Sequence, residues 1–251
     1  MTGAREYLKL IIAVPLVLIF NLGTLLIPME RDLDVSSLLH YKIFASTTQS
    51  DVTMFVLTIG NLYFLFVFNL LFGTYLFKDI NENGIALFSR VRNRQKWWRA
   101  KAAGLILFAF LYTFIVITLL IIISGRESTA GIDGAAVLAA IRLVYLFTAL
   151  SALSTLLINV AALKWGSVTS FLCVYFIEAV LILSEILPGD HLGLRVWHWI
   201  NPFGGVFSIY EMTGKVIFQF IYLAALLVLL MYASGRYVAK SDIGLEDVEV
   251  M

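Results

Sequence analysis

"FKDINENGIALFSRVRNRQKWWRAK", Phe77 to Lys101, interrupts a chain that is otherwise almost continuously apolar. It holds seven of the eighteen Lys and Arg residues and two adjacent tryptophans, Trp97 and Trp98. Apolar runs flank it on both sides, Val52–Phe77 before and Ala102–Ser124 after. A helix needs roughly 20 mainly apolar residues to cross about 30 Å of hydrocarbon, and both runs are long enough. The polar stretch therefore reads as a loop joining two membrane spans.

Outward from that loop the same criterion finds four more spans, Leu8–Pro28, Leu138–Leu163, Gly166–Leu187 and Val216–Ser234. Each lacks the alternation of a strand, and lipid offers no partner for an unpaired backbone, so six helices are expected. Composition agrees. The chain is 61% hydrophobic and 14% charged, against about half and about a quarter in soluble domains. The first run follows the short leader "MTGAREYLK" and has no small-residue cleavage site after it, so it reads as a retained signal-anchor. Pro15 lies inside it and is expected to kink it, which neighbouring helices can tolerate.

Basic residues set the orientation. With the N-terminus inside, Arg5, Lys9, the seven of the long loop, Lys164, Arg236 and Lys240 face inward, twelve of the eighteen. Arg31, Lys42, Arg126, Arg195 and Lys215 face outward, and Arg142 lies within a span. Both termini and the basic loop are thus expected in the cytoplasm. Spans four and five, joined only at Lys164–Trp165, must be antiparallel neighbours. Pro188–Lys215 is semi-apolar and rich in aromatics, among them Trp197, Trp199 and Phe203. It reads in part as an interfacial or re-entrant segment, with Pro202, Gly204 and Gly205 allowing a tight bend.

Within the loop, Asn81-Glu82-Asn83-Gly84 forms a turn before a helix start, and Ile85, Phe88 and Val91 follow at helical spacing with Leu87 alongside. Arg90, Arg92 and Arg94 project elsewhere. The plain reading is that the basic residues enforce topology and bind anionic lipid. That leaves an apolar cytosolic stripe to be covered, by lipid or by a groove on a partner protein.

Here the layout resembles the transmembrane subunit of type-2 ABC exporters, the ABC-2 type transporter permease family. That family carries a cytosolic coupling helix between its second and third spans. Its loose pattern there is matched by Glu82-Asn83-Gly84, Leu87-Phe88, Ser89-Arg90, Arg94, Trp97 and Lys101. Asn201–Gly205, "NPFGG", is similar to the family's Asn-Pro turn before the last span. Two departures are the short Met1–Lys9 leader, where the family often has a longer amphipathic helix, and the lack of a large outer domain.

The resemblance implies one six-helix transmembrane permease domain over residues 1–251, all-α and integral to a bacterial plasma membrane. It implies a cytosolic coupling helix over residues 82–94, with Glu82, Gly84, Ile85, Leu87, Phe88, Arg90 and Arg92 contacting an ATPase. No G-x-x-x-x-G-K-[ST] loop occurs in the chain, so ATP and Mg are expected on a separate cytosolic ABC ATPase subunit and no cofactor on this one. A second permease copy or a related permease would complete the pathway. Membrane lipid is the other partner, and nucleic acid is not one.

Several polar residues fall at membrane depth, where ionisable groups normally face protein or water. Glu178 lies near the middle of span five, with Glu185 seven positions later on the same face. Arg142 in span four is placed to reach Glu185. These three read either as interhelical staples or as the lining of a route, with Glu178 the deepest. Asn61 and Asn69 share a face of span two, and Thr148, Ser151, Thr155 and Asn159 form a stripe on span four. Such stripes more often join helices than line pathways.

An enzyme finds little support. There is no H-E-x-x-H pair and no G-x-S-x-G turn, and His40, His191 and His198 all fall in outer segments. The single cysteine, Cys173, excludes an internal disulfide and reads as packing. No metal site is expected. A secondary transporter or channel with a lipid-bound basic loop is the alternative, but no paired broken helices or inverted repeat appear.

Overall fold

The computed structural model describes residues 2–20, 35, 63–81, 91, 93–128, 131–186, 196–197, 199–204 and 213–240. Among these every regular element is helical and no strand occurs. The helices are α1 (Thr2–Phe20), α2 (Tyr63–Phe72), α3 (Arg94–Glu127), α4 (Gly134–Trp165), α5 (Ser167–Ile186) and α6 (Thr213–Lys240). Four of them, α3 to α6, are long and apolar enough to cross a membrane. The chain is a helical membrane protein. Of the other two expected spans only parts are described. α1 runs unbroken through Pro15 with an apolar stretch at Leu8–Val17, and α2 lies in the second half of Val52–Phe77. Glu82, Gly84, Ile85, Leu87, Phe88, Arg90, Arg92 and Asn61 lie outside the described residues.

α3 begins eight residues before the expected Ala102, and the reason is local. Asn93 is its N-cap, in extended backbone, and its side-chain oxygen accepts from the Lys96 amide at 2.9 Å. Arg94, Lys96, Trp97 and Arg99 therefore belong to this helix. Val91 and Asn93 are non-helical, so a coupling helix cannot extend to Arg94 as the sequence reading had it. At 34 residues α3 is about 50 Å long, well beyond the thickness of hydrocarbon. Its polar first turns can stand clear of the lipid.

The hairpin of α4 and α5 turns on one residue. Gly166 sits at φ +77°, where a side chain would be strained, and its amide bonds to the Ala162 carbonyl. Residues equidistant from Gly166 then face each other, and Ser154 does hydrogen-bond to Glu178, twelve residues away on either arm. α3 and α4 form a second hairpin, in which Thr113 and Thr148 meet at 2.6 Å.

α4 is the hub, packed against α2, α3, α5 and α6. Its sequence explains this. Ala136, Ala139, Ala149, Ala152 and Ala162 with Ser151, Ser154 and Thr155 are buried along it, and small side chains let backbones approach where lipid supplies no hydrophobic drive. Beside it, Phe68 and Phe72 of α2 stack on each other and on Tyr112 and Phe108 of α3, at centroid distances of 4.8, 5.3 and 5.6 Å. α5 is the opposite case. Val168, Leu172, Phe176 and Ile177 are more than half exposed, as suits a helix facing lipid or another chain. Cys173 is exposed on it too rather than packed inside.

The expected second span is not one straight helix. α2 stops at Phe72, Gly73 and Thr74 form a turn, and helix resumes over 75–81. A Cβ at Gly73 would collide with the Asn69 carbonyl oxygen, so the turn needs glycine. A continuous helix would direct the amides of Leu76 and Phe77 at the carbonyls of Phe72 and Gly73. Here the Asn159 side-chain oxygen of α4 takes both, at 2.8 and 2.9 Å. It caps, from another helix, the start of the resumed one.

Leaving buried amides unpaired costs about 1–3 kcal/mol each, whereas an ordinary side-chain bond between membrane helices averages about 0.6 kcal/mol. Asn159→Leu should therefore lower stability by about 2–4 kcal/mol, and Thr148→Val by less than about 1 kcal/mol. SDS-driven unfolding in mixed micelles measures both, and equal losses would refute the capping account.

Candidate functional site

Two regions gather the polar chemistry, one at an end of the bundle and one in its middle. At the end where α3 starts and α6 finishes, Lys101 pairs with Asp79 at 2.6 Å and lies 5.3 Å from the centre of the Tyr75 ring and 6.0 Å from that of Trp97. Lys9 of α1 stands over Phe72 and Tyr75 at 5.3 and 5.6 Å. Arg99 of α3 and Arg236 of α6 share the Tyr232 ring at 5.2 and 4.8 Å. Beneath them Trp98 is fully buried and donates its indole N–H to Ser234 at 2.8 Å. Leu76, Ile80, Ala102, Leu105, Leu156 and Val238 complete a separate apolar cluster around it.

The 75–81 stretch and the first turns of α3 are thus fastened together, and α6 is fastened to α3. These are the two stems of the 82–92 loop. Half-exposed ion pairs contribute little singly. Here the charge pair is backed by the buried Trp98 ring, which clusters with Leu76 and Ile80 of the other stem, while its hydrogen bond to Ser234 ties α3 to α6.

In the middle, a chain of polar groups crosses three helices. Asn159 donates its side-chain N–H to the Thr155 carbonyl at 2.7 Å. The Thr155 hydroxyl lies 2.7 Å from the side-chain oxygen of Asn69 on α2. The Asn69 amide nitrogen and the Tyr175 hydroxyl of α5 are buried, without a hydrogen bond of ordinary geometry, although the two side chains are neighbours. Tyr175 is one turn from Glu178, which accepts from Ser154 of α4. Glu178 is 8% exposed. It also lines a cavity of about 230 Å3 walled by Leu150, Leu153, Val174 and Phe203 among other apolar groups.

The far end is closed by a polar knot. Asn201, fully buried, donates to the Leu181 carbonyl of α5 at 2.8 Å and accepts from the Phe203 amide at 3.1 Å. Gln219 of α6 donates to the carbonyls of Trp199 and Asn201, and Trp197 donates to Ser184 at 2.8 Å. Phe203 is carried into the main core.

Of the residues expected at membrane depth, Asn69 and Asn159 are joined through Thr155, and Glu178 is bonded separately to Ser154 of the same helix α4. Glu185 and Arg142 are half-buried and make contacts of their own. By the symmetry about Gly166, Glu185 stands level with Phe147, five residues or about 7 Å along α4 from Arg142. Sequence reasoning passed over Ser154, Tyr175 and Gly73. The symmetry about Gly166 would have found Ser154, since it is the position opposite Glu178. Among the described residues no group of acidic, His and Cys side chains could hold a metal.

No family model, no curated protein and no solved structure matches the chain.

Because a buried carboxyl without its donor is costlier than no carboxyl at all, Ser154→Ala should lose about 1–3 kcal/mol. Ser154→Ala combined with Glu178→Leu should recover at least half of that loss. Unfolding of the single and double variants in mixed micelles completes the cycle, and additive losses would contradict it.

Proposed function

We propose that the chain is the permease subunit of an ATP-driven exporter of the ABC-2 type, moving substrate outward across a bacterial plasma membrane. A separate cytosolic ATPase grips the 82–92 loop, with Ile85, Leu87 and Phe88 as buried contacts and Glu82, Arg90 and Arg92 as complementary charges around Gly84. The permease itself binds no nucleotide and carries out no chemistry. ATP and Mg sit on the partner, and a second permease subunit completes the route. Both termini lie in the cytoplasm. In support, Lys9, Arg99, Lys101 and Arg236 surround one end of the bundle, as the inner side of a membrane protein does.

The observation that carries the reading is the fastening of the loop's two stems by Lys101 to Asp79 and Tyr75 and by Trp98 clustered with Leu76 and Ile80, with Ser234 tying the same indole to α6. A loop that only touched lipid would need no such rigid footing. A lever does, because force applied to it must move helices rather than bend their ends. Displacing the stems drags the 75–81 stretch, and with it the Asn159 bond that ties span two to the hub. Closure of two ATPases would thereby be passed into the bundle as a hinge-type change, provided that nucleotide and substrate favour different states.

A second reading, a secondary transporter, is favoured by the turn at Gly73–Thr74, since interrupted helices mark many ion-coupled sites. Transport into vesicles separates the two. The exporter requires nucleotide and an ATPase partner, and movement that follows an ion gradient without nucleotide would select the second reading.

Two variants test the lever. With neighbouring proteins co-expressed, an ATPase should co-purify with the wild-type chain. Phe88→Asp should reduce its recovery at least tenfold, equivalent to about 1.4 kcal/mol or more, while the helices stay folded by circular dichroism. Lys101→Ala with Asp79→Ala should retain the ATPase but lower nucleotide-driven transport several-fold. Full ATPase recovery with Phe88→Asp would eliminate the docking role of the loop.

A further inference from the structure

The cavity beside Glu178 lies between α4, α5, the turn at Pro202–Phe203 and the middle of α6. α5 and α6 both pack on α4 but not along one another, which leaves a cleft between them. Leu157, Ile177 and Leu229 stand at its outer edge and are 44%, 55% and 66% exposed, so the cleft opens sideways, toward lipid. Its lining is apolar apart from Ser154 and Glu178.

Glu178 is more than nine-tenths buried, and among the described residues its hydrogen-bond partner is Ser154, through one carboxyl oxygen. No cation of the described residues pairs with it. Glu178 lies eleven residues into α5, about 17 Å from the helix start and so near the middle of a bilayer. A carboxylate at that depth is unfavourable unless a positive charge meets it or a proton neutralises it. The ammonium of a lipid headgroup stays at the membrane surface and does not reach.

We propose that this cleft is a binding site for a small lipophilic amine, with the ammonium on Glu178 and the apolar body against Leu150, Leu153, Val174 and Phe203. The ligand arrives sideways from the hydrocarbon, where such molecules concentrate. The site names a class of cargo for the export reading and rests on that reading only for the transport step, so the test reads binding alone.

The full chain in phosphatidylcholine nanodiscs is titrated with tritiated 1-adamantanamine, a compact hydrocarbon cage bearing one ammonium, against its neutral isostere 1-adamantanol as competitor. Saturable binding is expected, with adamantanol displacing it at least tenfold less well than unlabelled amine. Glu178→Gln should weaken binding about tenfold or more, as loss of a charge-assisted contact does. Leu229→Trp, which places bulk at the exposed mouth, should weaken it several-fold with little change in melting temperature. Absence of saturable binding, equal displacement by the two cages, or undiminished binding to a folded Glu178→Gln would overturn the proposal. Equal displacement would mean that the cage merely partitions onto apolar surface. Should Glu178→Gln not fold, the adamantanol and Leu229→Trp comparisons decide the matter. Ion-driven instead of nucleotide-driven transport would sink the export reading and leave this site intact.

Discussion

One side-chain oxygen holds the bundle to its architecture. Asn159 accepts two backbone amides from a different helix, at a place where water cannot replace it. Without that acceptor the turn at Gly73–Thr74 would expose unpaired backbone in hydrocarbon, and the second span would have to straighten. Straightening it would redirect the 75–81 stretch and separate Asp79 and Tyr75 from Lys101. The basic end, the stems of the loop and the register of α2 against α4 all follow from this bond.

The same economy explains why α4 is central. A helix that receives four neighbours must be thin where they cross, and its buried positions are largely Ala, Ser and Thr. Small residues also bring hydroxyls within reach of adjacent helices, which is how Thr148 meets Thr113 and Thr155 meets Asn69. Packing and polar pairing are one solution here, since dispersion and hydrogen bonds are the forces that remain between helices when the solvent is itself apolar.

Hydropathy and spacing were enough to locate α3 to α6, because length and apolarity directly reflect the thickness of the bilayer. The antiparallel α4–α5 pair was legible from its minimal connection, and the Thr148–Asn159 stripe from its spacing. The break in the second span was not. "FNLLFGTYLF" contains no proline and only Asn69, Gly73 and Thr74 interrupt its apolar run, so nothing in a window average registers a two-residue turn whose cap comes from more than eighty residues away. The start of α3 was missed for a related reason. Charge was read as the edge of the membrane and hence of the helix, but a capped helix continues past the lipid. Glu178 was visible as a misplaced charge and Ser154 could be placed opposite it about Gly166, whereas the cavity beside them depends on how three helices meet.

The distribution of fastenings also determines where movement costs least. The basic end joins α3, α6 and the 75–81 stretch by ion pair, ring and indole contacts, and α4 is bound along its length to α3. α5 takes no part in that end, and it meets α2 through the Phe66 ring against Phe171 and Tyr175, at 5.7 and 5.0 Å. It touches the hub through small side chains, Ser154–Glu178 and the knot at Asn201, and it leaves much of its surface uncovered. Tilting α5 away from α6 would leave the basic end untouched and would widen the cleft at Glu178, while tilting α3 or α6 would disturb that end. From the cap at Asn159 polar contacts run by Thr155 to Asn69, whose side chain neighbours Tyr175 of α5.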